Sequence, residues 1–281
     1  MDKKYIYRKH LREPLKYLGA IVIFFILIFL TMFLSIGLND KDDFIKIMGP
    51  LLIGIVGFVG FLILEFTLIY FVLFRRFKKV EVILTDEEII YRYSKGEKRI
   101  PYSSIEKIKF PSIKYTGGWA KIIYTGGNIR LTVVLENIGD FIKTLKEELD
   151  RREMSDVYKE KKMYSFYKTA TFSDQSWGRV YENIKKFIVI TVGNCLISLV
   201  ISLVFKDVEY MFSLLFAGIM LALVIFIIGE LIIGRVIAKK ANKDTFFVPD
   251  RDLYLEEKVY KYSAIVYSIL YLVALILIVV V

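Results

Sequence analysis

Five stretches of this chain are apolar, nearly free of charge and close to the length of a bilayer crossing: residues 17–38, 48–74, 187–205, 210–238 and 263–281. A hydrocarbon core of ~30 Å takes about 20 helical residues to cross. A helix also satisfies its own backbone hydrogen bonds, which lipid cannot do. The chain therefore reads as an α-helical integral membrane protein of five spans, grouped as a hairpin over 17–79, a second hairpin over 187–240 and a last single span. The apolar fraction of 56% and a mean hydropathy of +0.50 agree. The first run exceeds the roughly 7–15 apolar residues of a signal peptide, and no clear small-residue cleavage pattern follows, so it reads as a retained helix.

The charges say which way the spans run. The formal net charge is +10 and the pI about 9.3. Lys3, Lys4, Arg8, Lys9, Arg12 and Lys16 precede the first span; Arg75, Arg76, Lys78 and Lys79 follow the second; Arg235, Lys239, Lys240 and Lys243 close the fourth. The loop between the first two spans instead carries Asp40, Asp42 and Asp43. By the positive-inside rule the N-terminal basic tail (1–16), the polar island (80–152), the connector (153–186) and the segment 241–262 lie in the cytoplasm, and the C-terminus lies outside the cell (plasma) membrane. The basic balance then suits an anionic leaflet, and the expected partners are the lipid bilayer and a protein partner or second copy, with no nucleic acid. One cysteine, Cys195, excludes an intrachain disulfide and a Cys-based metal cluster.

The island 80–152 changes character along its length. Val80–Leu84 and Ile89–Tyr93 alternate as strands around a Thr85-Asp86-Glu87 turn, and Ser94-Lys95-Gly96-Glu97 reads as a tight turn. Further short strands lead through Pro101 and Ile105–Phe110. Thr125-Gly126-Gly127 then marks a hairpin between 120–124 and 128–135. From Ile138 the period shifts, with Phe141, Ile142, Leu145 and Leu149 on one helical face. Such a helix would cover the open end of the sheet.

This order resembles the bacterial pleckstrin-homology-like domain, in the subfamily where a transmembrane hairpin precedes the domain. The residues that carry the resemblance are Val82-Ile83-Leu84-Thr85-Asp86-Glu87-Glu88-Ile89, then Ile100-Pro101-Tyr102-Ser103-Ser104-Ile105-Glu106-Lys107-Ile108, then the Gly-Gly hairpin and helix. The resemblance implies a cytoplasmic α+β domain: a partly open antiparallel barrel of about seven strands plus a C-terminal helix. Six strands are countable, so one is expected to be short or to lie within 111–119. It further implies a binding role, in self-protection against antimicrobial peptides or in envelope stress.

In the connector, the run around 159–162 reads as solvated. Ser173 or Asp174 is placed to cap a helix whose apolar face is Trp177, Val180, Tyr181, Ile184 and Phe187, with Arg179 off that face. That helix suits either the bilayer interface or packing on the β-domain. The string 246–253 echoes 82–89, which reads either as a truncated repeat or as coincidence.

No catalytic constellation, cofactor motif or metal-ligand spacing stands out, and His10 has no partner in sequence, so the chain reads as a non-enzyme with no cofactor. Glu65 and Glu230 lie inside spans, where a carboxyl is costly and is a functional candidate by default. Asn194, within the third span, suits helix–helix hydrogen bonding. Gly54, Gly57 and Gly60, and Gly218 with Ala222, would permit close helix approach. On the island Lys107, Lys114, Lys121 and Arg130 are candidates to face lipid headgroups. Three readings follow. The first is a non-catalytic membrane protein presenting its domain for protein interaction or self-association. The second is a transporter or ion-coupled component using Glu65 and Glu230. The third is anionic headgroup recognition.

Overall fold

The computed structural model describes residues 2–39, 41–111 and 118–280. Its seven strands are β1 (Lys3–Ile6), β2 (Glu81–Leu84), β3 (Glu88–Tyr93), β4 (Gly96–Pro101), β5 (Ile105–Lys109), β6 (Trp119–Tyr124) and β7 (Gly127–Thr132). Its longer helices are α1 (Pro14–Asn39), α2 (Lys41–Ile69), α3 (Ile138–Arg151), α4 (Glu160–Phe205), α5 (Val208–Lys240) and α6 (Leu253–Val280). Among the described residues, five helices are long and apolar enough to cross a membrane, the second over Leu52–Val72. The chain divides into two units, one of residues 1–14, 69–179 and 237–250, the other of 15–68, 180–236 and 251–281.

The first unit holds two antiparallel sheets, β1-β2-β3-β4 and β5-β6-β7. Alternation explains them: Val82, Leu84, Ile89, Ile100, Ile122 and Leu131 point inward and are almost wholly buried, while the residues between them face out. Thr125 and Gly126 join β6 to β7, and Gly126 sits at φ +96°, a left-handed conformation that glycine reaches without steric cost. The α3 stripe of Ile138, Phe141, Ile142, Leu145 and Leu149 is fully buried.

Sequence reasoning counted six strands; the seventh in the described residues is β1, drawn from what reads as a basic tail. Lys3 pairs with Leu84 and Ile6 with Glu81, so β1 is held by a strand that follows α1 and α2 in the sequence. Tyr5 and Tyr7 are buried in the same core.

The connector also differs from its sequence reading. No helix starts at Ser173 or Asp174; α4 runs unbroken from Glu160. Met163, Phe166, Tyr167 and Ala170, spaced as one helical face, are buried in the first unit's core. Arg179, expected off the apolar face, is 3% exposed. Asp174 does cap a helix, but a different one: its carboxylate accepts from the backbone N–H groups of Asn137 and Gly139 at the start of α3, both at 3.2 Å. The first unit is completed by 241–250. There Asn242 and Phe247 exchange backbone hydrogen bonds, Phe246 stacks on Tyr167 at 4.9 Å and Val248 is buried. This is a turn closed by a single bridge, and it forms no strand like β2.

The second unit is a helical bundle. Phe58 of α2 meets Phe25 of α1 at 5.2 Å between ring centroids. Ser202 of α4 bonds Ser35 of α1 at 2.6 Å and accepts from Asn39 at 2.9 Å. Gly218 of α5 faces Asn194 of α4 so closely that a Cβ there would lie 2.6 Å from the amide carbon. Gly54, Gly57 and Gly60 meet nothing within 4 Å, so the expected close approach along α2 is not made within the described chain.

Candidate functional site

In the helical unit, α4, α5 and α6 line an open-sided cavity of roughly 710 Å³. Its mouth is built by Arg251, just ahead of α6. The guanidinium meets Glu182 of α4 in a two-pronged pair, both bonds 2.7 Å, and also donates to Glu256 at 2.6 Å. Glu256 is 4% exposed, and such a carboxylate needs that cation beside it. The two carboxylates, Glu182 foremost, push the Arg251 pKa further above its already high value. The arginine is a structural clamp, saturated by its own neighbours.

Deeper, a ladder of tyrosines on α6 meets the polar residues of the other helices. Tyr260 donates to Glu230 of α5. Seven residues on, and so on the same face, Tyr267 donates to Asn194 of α4 at 2.7 Å and stacks on Tyr271 at 5.8 Å. Tyr260 and Tyr267 both line the cavity, beside Phe187, Ile190, Ala222, Ile225 and Phe226. Glu230 and Asn194 are therefore brought to one site, through tyrosines that sequence reasoning did not single out. Ala222, buried, lines this space.

Glu65 is not part of it. It is exposed on α2, is not among the cavity's lining residues, and has no hydrogen bond or ion pair among the described residues. Among the described residues Glu65 and Glu230 make no hydrogen bond to each other; Glu230 meets Tyr260.

The second cluster lies on the sheet β5-β6-β7. Lys109 stands directly opposite Lys121, and Lys121 directly opposite Arg130. Lys107, two residues before Lys109, shares their outward face after a bulge between Ile105 and Lys107. Four cations thus occupy one face, and among the described residues none of them makes an ion pair. Like charges placed directly opposite each other are destabilising. Sequence reasoning named Lys107, Lys121 and Arg130 but missed Lys109, although the period of two that sets strand faces marks it as the partner of Lys107. Lys114 lies outside the described residues.

A third polar cluster binds the first unit together. Arg8, 2% exposed, donates to the Val133 carbonyl at 2.9 Å, to the Ser173 carbonyl and hydroxyl at 3.3 Å, and to Asp174 at 2.7 Å. His10 stacks on Trp177 with centroids 4.3 Å apart. Burial, with help from the Arg8 charge, lowers the His10 pKa. This cluster is packing machinery, since its polar groups are turned on one another.

No known protein family, curated protein or solved structure matches this chain.

Proposed function

We propose that the protein is a non-catalytic, membrane-anchored binding protein whose pleckstrin-homology-like domain presents the Lys107, Lys109, Lys121 and Arg130 face to anionic phospholipid headgroups. The carrying observation is the uncompensated in-register row Lys109, Lys121 and Arg130. A row that weakens its own sheet is offset when an anion meets it. Each cation near an anionic leaflet contributes about 1 kcal/mol, so four contribute about 4 kcal/mol at low salt. Four strands and three strands with a following helix support the domain reading. The cytoplasmic side is supported by packing. Stretches before the first hairpin, between the hairpins and after the second all enter one core, so they share one aqueous face. The basic clusters at Arg75, Lys78, Lys79, Lys239 and Lys240 support reading that face as the inner one.

The test uses the full chain in nanodiscs of neutral lipid, mixed with sedimentable vesicles. Binding should rise with the fraction of anionic lipid and fall with salt. Replacing Lys109 and Lys121 by alanine should weaken it about thirty-fold, from roughly 2 kcal/mol. Binding indifferent to vesicle charge would sink the reading.

A second reading, self-association, is favoured by the second span, Leu52–Val72, which begins in α2 and runs past its end. None of it is buried, and Glu65 on it has no partner among the described residues. A carboxyl at bilayer depth calls for a polar neighbour. Crosslinking through a Leu68→Cys variant, which keeps Glu65 and places an exposed thiol one turn along the same face, should yield a dimer in native membranes; monomer alone would remove this reading.

A further inference from the structure

The cavity between α4, α5 and α6 has a floor and a rim of opposite chemistry. Its floor is Phe187, Ile190, Ile225 and Phe226; its rim is charged. The three helices are each long and apolar enough to cross a membrane, so lipid is the solvent around the floor. From Glu256 to Tyr267 along α6 the wall rises roughly 16 Å, the depth of one leaflet's hydrocarbon. A volume of roughly 710 Å³ is in the range of ligand sites.

The rim identifies the headgroup. Three cations, Arg251, Lys186 and Lys261, and three carboxylates, Glu182, Glu256 and Glu257, line it. Arg251, Glu182 and Glu256 are spent on each other. What remains is Lys186, lying 5.8 Å over the Tyr260 ring, with Lys261 and Glu257. Among the described residues these three form no ion pair. Two ammonium groups and one carboxylate complement a phosphate carrying a primary ammonium. Choline offers Glu257 no N–H, and a glycerol headgroup leaves the carboxylate without a cation.

We infer that this cavity is a binding site for one aminophospholipid. An acyl chain lies along the apolar floor, the phosphate between Lys186 and Lys261, and the ammonium at Glu257. The site is separate from the cationic sheet face and does not depend on it.

Native mass spectrometry of the full-length protein, stripped of lipid in detergent and resupplied with phosphatidylethanolamine, phosphatidylglycerol or phosphatidylcholine, tests this. One phosphatidylethanolamine should stay bound at detergent levels that remove the other two. Replacing Lys186 and Lys261 by alanine should weaken retention at least tenfold. Ala264 is exposed and lines the cavity, so Ala264→Trp should fill the space and remove the adduct. If that variant does not fold, Glu257→Lys serves instead and should turn the preference toward phosphatidylglycerol. Equal retention of all three headgroups, a folded Ala264→Trp that still holds the lipid, or an unchanged preference in Glu257→Lys would each overturn the proposal.

Discussion

Arg8→Ala is expected to be among the most damaging single changes in the first unit. The side chain is 2% exposed and its Asp174 partner 15% exposed, so solvent screens this pair little. Truncation strands the Asp174 carboxylate and removes the guanidinium donor from the Val133 carbonyl. Breaking a buried pair from one side costs about 3–5 kcal/mol. At about 2–4 °C per kcal/mol for a body of this size, melting should fall by about 6–20 °C. Asp174→Asn should cost less, because the amide oxygen can still accept from Asn137 or Gly139. The double variant Arg8→Ala with Asp174→Asn should be milder than the sum of the two, with a coupling of about 1–3 kcal/mol. The assay is thermal unfolding of full-length protein in one detergent, with amide exchange across β1 as a local readout. Additivity within about 0.5 kcal/mol, or β1 amides as protected in Arg8→Ala as in the parent, would refute the reasoning.

As pH falls below about 6.5 two groups of the first unit oppose each other: His10, held below its free pKa, loses its contribution on protonation, while Asp174, pushed up to about 6 by burial, gains one. The His10 part is read as a difference: the melting temperature of His10→Gln relative to the parent should rise as pH falls through this range, and a constant difference would contradict the assignment. Gly218→Val should displace Asn194, break its bond to Tyr267 and lower the melting temperature of the helical unit; a structure-neutral valine would show that the approach is not tight. A fragment of residues 80–152 should not unfold cooperatively, since it lacks β1, Arg8 and the buried Met163, Phe166 and Ala170. A dispersed amide NMR spectrum from that fragment would contradict this.

Much of the architecture was legible because it is local. A membrane span is a property of some twenty consecutive residues, and all five showed in composition alone. The strands β2 to β7 and the α3 stripe showed as changes of period. The polar anomalies Glu230 and Asn194 were visible because such groups are rare at that depth.

What stayed hidden was every pairing across a long separation. β1 is four residues of Lys-Lys-Tyr-Ile whose partner strand lies beyond a whole hairpin, and nothing in so short a string distinguishes a strand from a tail. Asp174 looks like a cap for its own helix, but its carboxylate serves α3, because only the packed core brings those N–H groups within reach. Tyr260 and Tyr267 are ordinary tyrosines until α6 docks and turns one face to Glu230 and Asn194. Composition and period report what each segment prefers against water or lipid. Which distant groups meet depends on how segments with the same preferences stack, and that is decided by packing.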